Sequence, residues 1–135
     1  MLEKIFSGAK TREKALNAAL LRNEAISDNI ANVDTPGYKR KIVAFEEFLS
    51  NAMDSGIKGK ITDKKHIPIG GTKIDNVTPR IIEQNNSTNY RLDGNNVDIE
   101  NEMAAMAKNT IQYNTLVQSL NGYFRKIKSV IKEGR

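Results

Sequence analysis

The chain has 135 residues, which suits one compact unit, with 39% hydrophobic residues, 27% charged residues and a formal net charge of +5. It contains no cysteine and one histidine, His66, which excludes a disulfide framework, a thiol nucleophile and a cysteine-based zinc site. These counts disfavour most enzyme classes, and we predict no catalytic residue, no metal site and no cofactor.

The first long helix is predicted over residues 11–33, because this stretch has no glycine or proline and places apolar residues at helical spacing. Thr11 is the predicted N-cap. Asn23 falls on the apolar stripe, where it either fixes the register of a helix pair or faces solvent. The stripe ends with Ile26, Ile30 and Val33.

The middle of the chain is polar, and the elements predicted there are short. One amphipathic helix is predicted from the spacing of Ile42, Phe45, Leu49 and Ala52 or Met53. The segments Arg80–Ile82 and Tyr90–Leu92 are candidate strands. The composition of residues 54–97 is equally compatible with a segment that becomes ordered only on binding.

The strongest periodic pattern lies in the last 38 residues, where apolar residues recur at alternating steps of four and three. Such a pattern is typical of a helix that packs in a left-handed coiled coil. Asp98 is the predicted N-cap, and Glu100 and Glu102 suit the positive end of the helix dipole. The residues predicted here to pack within and between chains are Met103, Met106, Val117, Leu120, Phe124 and Ile127.

The predicted fold is therefore mainly α, with long N- and C-terminal helices in a coiled-coil-like pair and an irregular, partly extended middle. We divide it into residues 1–39, 40–97 and 98–135. A C-terminal helix longer than the N-terminal one leaves part of its apolar stripe uncovered, which predicts association with other chains.

The most informative short motif is the end of the first helix, residues 29–39. Pro36 disfavours helical geometry at Thr35, and Gly37 permits a positive φ, so the chain must turn sharply there. The residues predicted to shape this helix exit are Asn29, Asn32, Thr35, Pro36, Gly37 and Tyr38.

This motif resembles the Asn-x-x-Asn-x-x-Thr-Pro-Gly-Tyr signature of the bacterial flagellar axial proteins, the family of rod, hook and hook-associated subunits. A second block, residues 93–103, is similar to the short proximal rod subunits within that family, as are the segments 107–109 and 113–117. The resemblance implies a structural subunit rather than an enzyme. Its terminal helices would polymerise to form the proximal part of the hollow rod.

The resemblance also implies export through the flagellar type III apparatus without a cleaved signal peptide, and a place in the periplasmic rod of the basal body. The implied partners are other copies of this chain, other rod subunits, membrane-ring and rod-adaptor proteins, and the export apparatus. We expect no nucleic acid, because aromatic residues are not interleaved with the basic runs, and no membrane span. The alternative function is a cytoplasmic helical adaptor or flagellar export chaperone that uses the same stripe.

Overall fold

A computed structural model describes residues 2–53, 77–84 and 94–134, with side chains from Gly8 onward. Its elements are α1 (Leu2–Ala31), β1 (Lys41–Ala44), α2 (Glu46–Met53), β2 (Arg80–Glu83) and α3 (Ile99–Glu133). The predicted mainly α fold is confirmed, and the candidate strand Tyr90–Leu92 and His66 lie outside the described residues. None of the described helices is long and apolar enough to cross a membrane.

The two long helices, α1 and α3, pack side by side in opposite directions. Hydrogen bonds along the pair show this direction, because residues early in α1 contact residues late in α3 and the reverse. The connections are Arg12 Nε to Ser119 Oγ at 3.0 Å, Asn109 Nδ2 to the Ala19 carbonyl at 2.9 Å, and Asn29 Nδ2 to Glu102 Oε2 at 3.1 Å.

The prediction that α1 begins after an N-cap at Thr11 is wrong, because α1 already begins at Leu2. The reason is tertiary packing, which overrides a local capping preference. The Arg12 guanidinium lies 5.0 Å from the centre of the Tyr123 ring and donates to the Gly8 carbonyl at 2.7 Å. This contact holds the first turns of α1 against the end of α3.

The short elements pack on the side of α1 around one aromatic residue. Phe45 is buried with Ala18, Ala52 and Val77. The predicted amphipathic helix is present as α2, with Phe45 directly before it, but Ile42 belongs to strand β1 instead. The β-branched run Ile42–Val43 favours a strand, and it pairs antiparallel with Ile82–Ile81 of β2. The candidate strand at Arg80 is therefore confirmed.

Helix α3 begins where the sequence predicts. The Asp98 carboxylate accepts hydrogen bonds from the backbone N–H groups of Glu100, at 3.0 Å, and Asn101, at 3.4 Å. These bonds satisfy donors that the first turn of a helix otherwise leaves unpaired. The helix then continues for 35 residues, through Gly122, to Glu133.

Gly122 offers a simple test of helix stability. A Cβ atom built at Gly122 meets nothing within 4 Å, so alanine fits without a clash. Because glycine costs about 1 kcal/mol relative to alanine inside a helix, Gly122→Ala should raise the free energy of unfolding of the isolated chain by about that amount. Urea denaturation followed by circular dichroism measures it. A loss of stability would show that the space beside Gly122 is occupied in solution.

Candidate assembly site

The helix exit is a series of tight turns that directs the chain from α1 into β1. The N–H of Asn32 donates to the Asp28 carbonyl at 3.1 Å, that of Thr35 to the Asn32 carbonyl at 3.0 Å, and that of Tyr38 to the Thr35 carbonyl at 3.3 Å. Gly37 has a φ of 71°, a conformation that residues with a Cβ rarely adopt. Gly37 is thus required by backbone geometry.

Side chains of the motif reinforce these turns. Asn32 Nδ2 donates to the Asp28 carbonyl at 2.8 Å, and the Thr35 hydroxyl donates to Asn32 Oδ1 at 3.2 Å. Pro36 lies exposed at the tip of the turn. The polar residues of the motif therefore stabilise the exit locally, whereas Pro36 acts through its restricted backbone.

Asn29 is the central residue of the site, and its side chain is completely buried. Its Oδ1 accepts from the Lys41 N–H at 2.8 Å and from the Tyr38 hydroxyl at 3.2 Å. Its Nδ2 donates to the Lys41 carbonyl at 2.8 Å and to Glu102 Oε2 at 3.1 Å. One amide therefore joins α1 to the exit turn, to β1 and to α3.

Glu102 has a different role from the one that its sequence position indicates. It lies in the first turn of α3, where we predicted a simple interaction with the helix dipole, but its side chain is only 1% exposed. Its second oxygen, Oε1, forms an ion pair with Nε of Arg40. A buried carboxylate needs such partners because its desolvation costs several kcal/mol. The pair fixes the segment after the exit turn against α3.

Asn95 holds the other side of the turn. Its Nδ2 lies within hydrogen-bonding distance of the carbonyls of Asn32, Val33 and Thr35, at 2.9–3.0 Å. Its Oδ1 accepts from the N–H of Val97 at 2.8 Å. The segment before α3 thereby binds the helix exit directly, so two parts of the sequence about 60 residues apart form one junction.

The basic run Lys39–Lys41 contributes to the same junction. Lys39 Nζ donates to the Gly94 carbonyl at 2.8 Å, Arg40 pairs with Glu102, and Lys41 Nζ lies 2.8 Å from Asp28 Oδ2. All three cationic groups therefore have partners within the chain. This arrangement stabilises the exit and differs from the solvated basic surface expected for nucleic-acid binding.

Two groups of the junction have raised pKa values. Burial raises the pKa of the Tyr38 hydroxyl, with smaller contributions from nearby charges. The hydrogen bond to Asp28 raises the pKa of the Lys41 ammonium, and Tyr38 adds to this effect. Both shifts mean that the folded chain retains protons at alkaline pH that the unfolded chain has lost.

The contact line between the long helices is more polar than the sequence indicates. On α3 it follows the seven-residue spacing Glu102, Asn109, Leu116 and Tyr123, of which Glu102 and Asn109 are buried. Asn109 bonds the Ala19 carbonyl and is the polar residue that fixes the register. Asn23, one of whose possible roles was this one, is exposed.

The predicted packing residues are consequently divided between two faces. Ile26 is buried, and the half-buried residues are Ile30, Val33, Met106, Val117, Leu120 and Ile127. Met103 and Phe124 are 62% and 48% exposed. Every seventh residue from Met103 forms what we call the outer stripe, which consists of Met103, Thr110, Val117, Phe124 and Ile131.

Sequence reasoning missed Arg40, Asn95, Glu102 and Asn109 as members of the site. A signal for two of them was present, since Glu102 and Asn109 are seven residues apart and adjoin the apolar stripe. Nothing in the local sequence around Arg40 or Asn95 indicates a partner, because the residues that they contact are more than 55 positions away.

Removing Arg40 tests the buried ion pair. Arg40→Ala leaves the Glu102 carboxylate buried without its cation, so we expect the free energy of unfolding to fall by about 3 kcal/mol. Adding Glu102→Gln, which removes the charge, should recover part of this loss. Urea denaturation measures both variants, with Lys108→Ala on the exposed side of α3 as the control. A loss no larger than that of the control would contradict the pairing.

The raised pKa of Tyr38 predicts alkaline destabilisation. Because the folded state holds the Tyr38 proton more tightly, stability should fall as the pH rises above about 10, where the unfolded tyrosine ionises. Tyr38→Phe should cost about 1 kcal/mol at pH 7 through the lost bond to Asn29 and should flatten this fall. Lys41, with the same sign, accounts for the remaining slope. Denaturation curves from pH 7 to 11 that stay parallel for the two proteins would refute this assignment.

Comparison with known proteins gives a consistent assignment. Residues 10–39, which contain most of α1 and the helix exit, match the family described as "Flagella basal body rod protein". The chain is 37% identical over 132 residues to the flagellar basal body rod protein FlgB of Bacillus subtilis (strain 168), covering 97% of this chain and 98% of that protein.

Two further relatives have the same description. Flagellar basal body rod protein FlgB of Escherichia coli (strain K12) is 31% identical over 146 residues, covering 99% of each chain. The protein of that name from Borreliella burgdorferi is 35% identical over 123 residues, covering 87% of this chain and 90% of the relative. The chain therefore belongs to the FlgB family of flagellar basal body rod proteins and is a structural subunit of the bacterial flagellar rod.

Proposed function

We propose that this rod subunit polymerises through its terminal helices, with the outer stripe of α3 as the surface that packs against neighbouring subunits in the proximal part of the rod. The observation that carries the proposal is the exposure of large apolar residues at seven-residue spacing. Met103, Phe124 and Ile131 are each about half exposed or more. Exposed apolar surfaces of this extent are typical of protein interfaces.

The length of the outer stripe supports an extended helix contact. Met103 and Ile131 are 28 residues apart, which corresponds to about 42 Å along α3 at 1.5 Å per residue. A seven-residue repeat keeps one face of a helix directed at a partner helix over such a distance. Within the chain α1 contacts the line of Glu102 and Asn109, one residue earlier in each repeat, so the outer stripe is available for a second helix.

The helix exit has a supporting role in this proposal. Asn29, Asn32, Thr35 and Tyr38 hold α1, β1 and α3 in one arrangement through the bonds described above. A fixed arrangement lowers the entropy that is lost when a subunit is incorporated, which favours assembly. Pro36 and Gly37 supply the turn itself.

The remaining parts of the proposal concern partners and location. The subunit acts without catalysis, leaves the cytoplasm through the type III apparatus without a cleaved signal and assembles in the periplasm. Its partners there are copies of itself, other rod subunits, and membrane-ring and rod-adaptor proteins. Similarity to rod proteins over nearly the whole chain supports this function over a cytoplasmic adaptor or export chaperone.

A single charge on the outer stripe tests the proposal. In a flagellated strain that lacks its own gene, the wild-type chain should restore basal bodies with a rod, whereas Val117→Asp should give membrane rings without one. The reason is that an interface would have to bury an unpaired carboxylate. Electron microscopy of purified basal bodies, with cell fractionation to locate the subunit, provides the readout.

The matched control is Gln118→Asp, which introduces the same charge one residue away at an exposed position outside the stripe. Circular dichroism of the two isolated variants must show equal helicity, so that misfolding does not explain the result. Normal rods with Val117→Asp would eliminate the outer stripe as an assembly surface. Accumulation of the wild-type subunit in the cytoplasm alone would favour the adaptor function.

A further inference from the structure

Charge is unevenly distributed along the helix pair. The end at which α1 starts and α3 finishes, residues 10–14 and 125–133, is called here the basic end and contains seven basic and two acidic residues. The rest of the described chain from residue 15 to 124 contains six basic and nine acidic residues. Helix α3 has no charged residue from Asn109 to Phe124. The molecule is therefore electrically bipolar, with a neutral stretch between the two poles.

Several exposed or half-exposed carboxylates are collected at the opposite end, called here the acidic end. They come from the helix exit, from β2 and from the start of α3, and the junction brings these segments together. Asn95 bonds the Thr35 carbonyl, and Asn96 bonds both the Arg40 N–H and the Gln84 carbonyl. The acidic residues of this end are Asp34, Glu83, Asp98 and Glu100.

The basic residues near the acidic end do not cancel its charge at the surface. Arg40 is used by the buried Glu102, and Lys41 is paired with Asp28. In contrast, Arg125, Lys126, Lys128 and Lys132 at the basic end are all exposed. The two poles therefore present opposite charges to solvent.

Exposed apolar side chains accompany the charges at both poles. Phe124, Val130 and Ile131 are exposed at the basic end, and Ile99 and Met103 are exposed at the acidic end. An apolar patch rimmed by charge has the composition of a protein interface. Because the charges of the two patches are opposite, each is complementary to the other on a different copy of the chain.

We propose that the basic end of one copy binds the acidic end of a second copy, so that subunits stack end to end. This inference rests on the proposed assembly through the terminal helices and adds which surfaces meet. A head-to-tail contact leaves one free pole on each outer copy, so growth does not close at two subunits. Opposite charges would also set the polarity of the stack, since like poles repel each other.

Sedimentation velocity of the full-length chain at 50 mM salt tests the contact. We expect the average mass to rise with protein concentration beyond that of a dimer, and the apparent affinity to fall about tenfold at 500 mM salt, where charges are screened. A mass that stops at a dimer would indicate a closed two-fold pairing and overturn the proposal. Absence of association at any salt concentration would do the same.

Charge reversal identifies the poles. Lys128→Glu and Glu100→Lys should each weaken association about tenfold at 50 mM salt, and combining the two should restore it because the complementarity is re-established. The matched controls are Lys108→Glu, on the same helix away from the basic end, and Glu47→Lys on α2, both at exposed positions. Equal effects of the controls, or no recovery in the combined variant, would contradict the assigned contact.

Basal bodies separate this inference from the function on which it rests. If both single reversals build rods as well as the wild-type chain while Val117→Asp fails, then the end-to-end contact is wrong and the outer stripe stands. If Val117→Asp builds normal rods while the reversals fail and their combination recovers, then the poles act without the stripe. Failure of both sets with recovery in the combined variant supports both.

Discussion

The arrangement of this subunit depends on one buried hydrogen bond, between the amide of Asn29 and the carboxylate of Glu102. Both side chains are shielded from solvent, so each must find all its partners inside the protein. Those partners are Arg40, Lys41 and Tyr38, which belong to the exit turn and the first strand. Displacing any of these segments would leave a buried polar group unsatisfied, which costs more free energy than a lost apolar contact.

The polar junction changes what the apolar residues are needed for. The interior of α1 is lined mainly by alanines, Ala18, Ala19 and Ala25, which let α3 approach closely but bury little area. The large apolar side chains of α3 lie largely at its outer face. The isolated subunit thus derives its shape from specific hydrogen bonds and retains its apolar surface for contacts outside the chain.

Much of the fold could be predicted from the sequence because its signals are local. The cap at Asp98 and the repeat that follows it predict α3 correctly, and the β-branched pair at Ile81 predicts β2. The start of α1 could not be predicted from Thr11, since the contact of Arg12 with Tyr123 links residues more than 100 positions apart. Ile42 was assigned to a helix because its spacing to Phe45 fits both periodicities.

The candidate site was predictable in part for the same reason. The exit motif was recognisable from Pro36, Gly37 and the asparagines around them. The face of α3 that meets α1 was not, because a repeat of seven gives the spacing of a contact line but leaves its rotation by one residue undetermined. The buried polar residues decide that rotation, and they do so through partners that are distant in the sequence.

The way in which Asn29 binds Lys41 has a consequence for the two-stranded sheet. The amide uses both its oxygen and its nitrogen on the N–H and the carbonyl of a single residue of β1, as a neighbouring strand would do. An exposed strand edge invites pairing with foreign chains and is a common origin of aggregation. By occupying the start of this edge with a side chain, α1 protects β1 from unwanted strand addition, which matters for a subunit that must stay unaggregated until it reaches the growing rod.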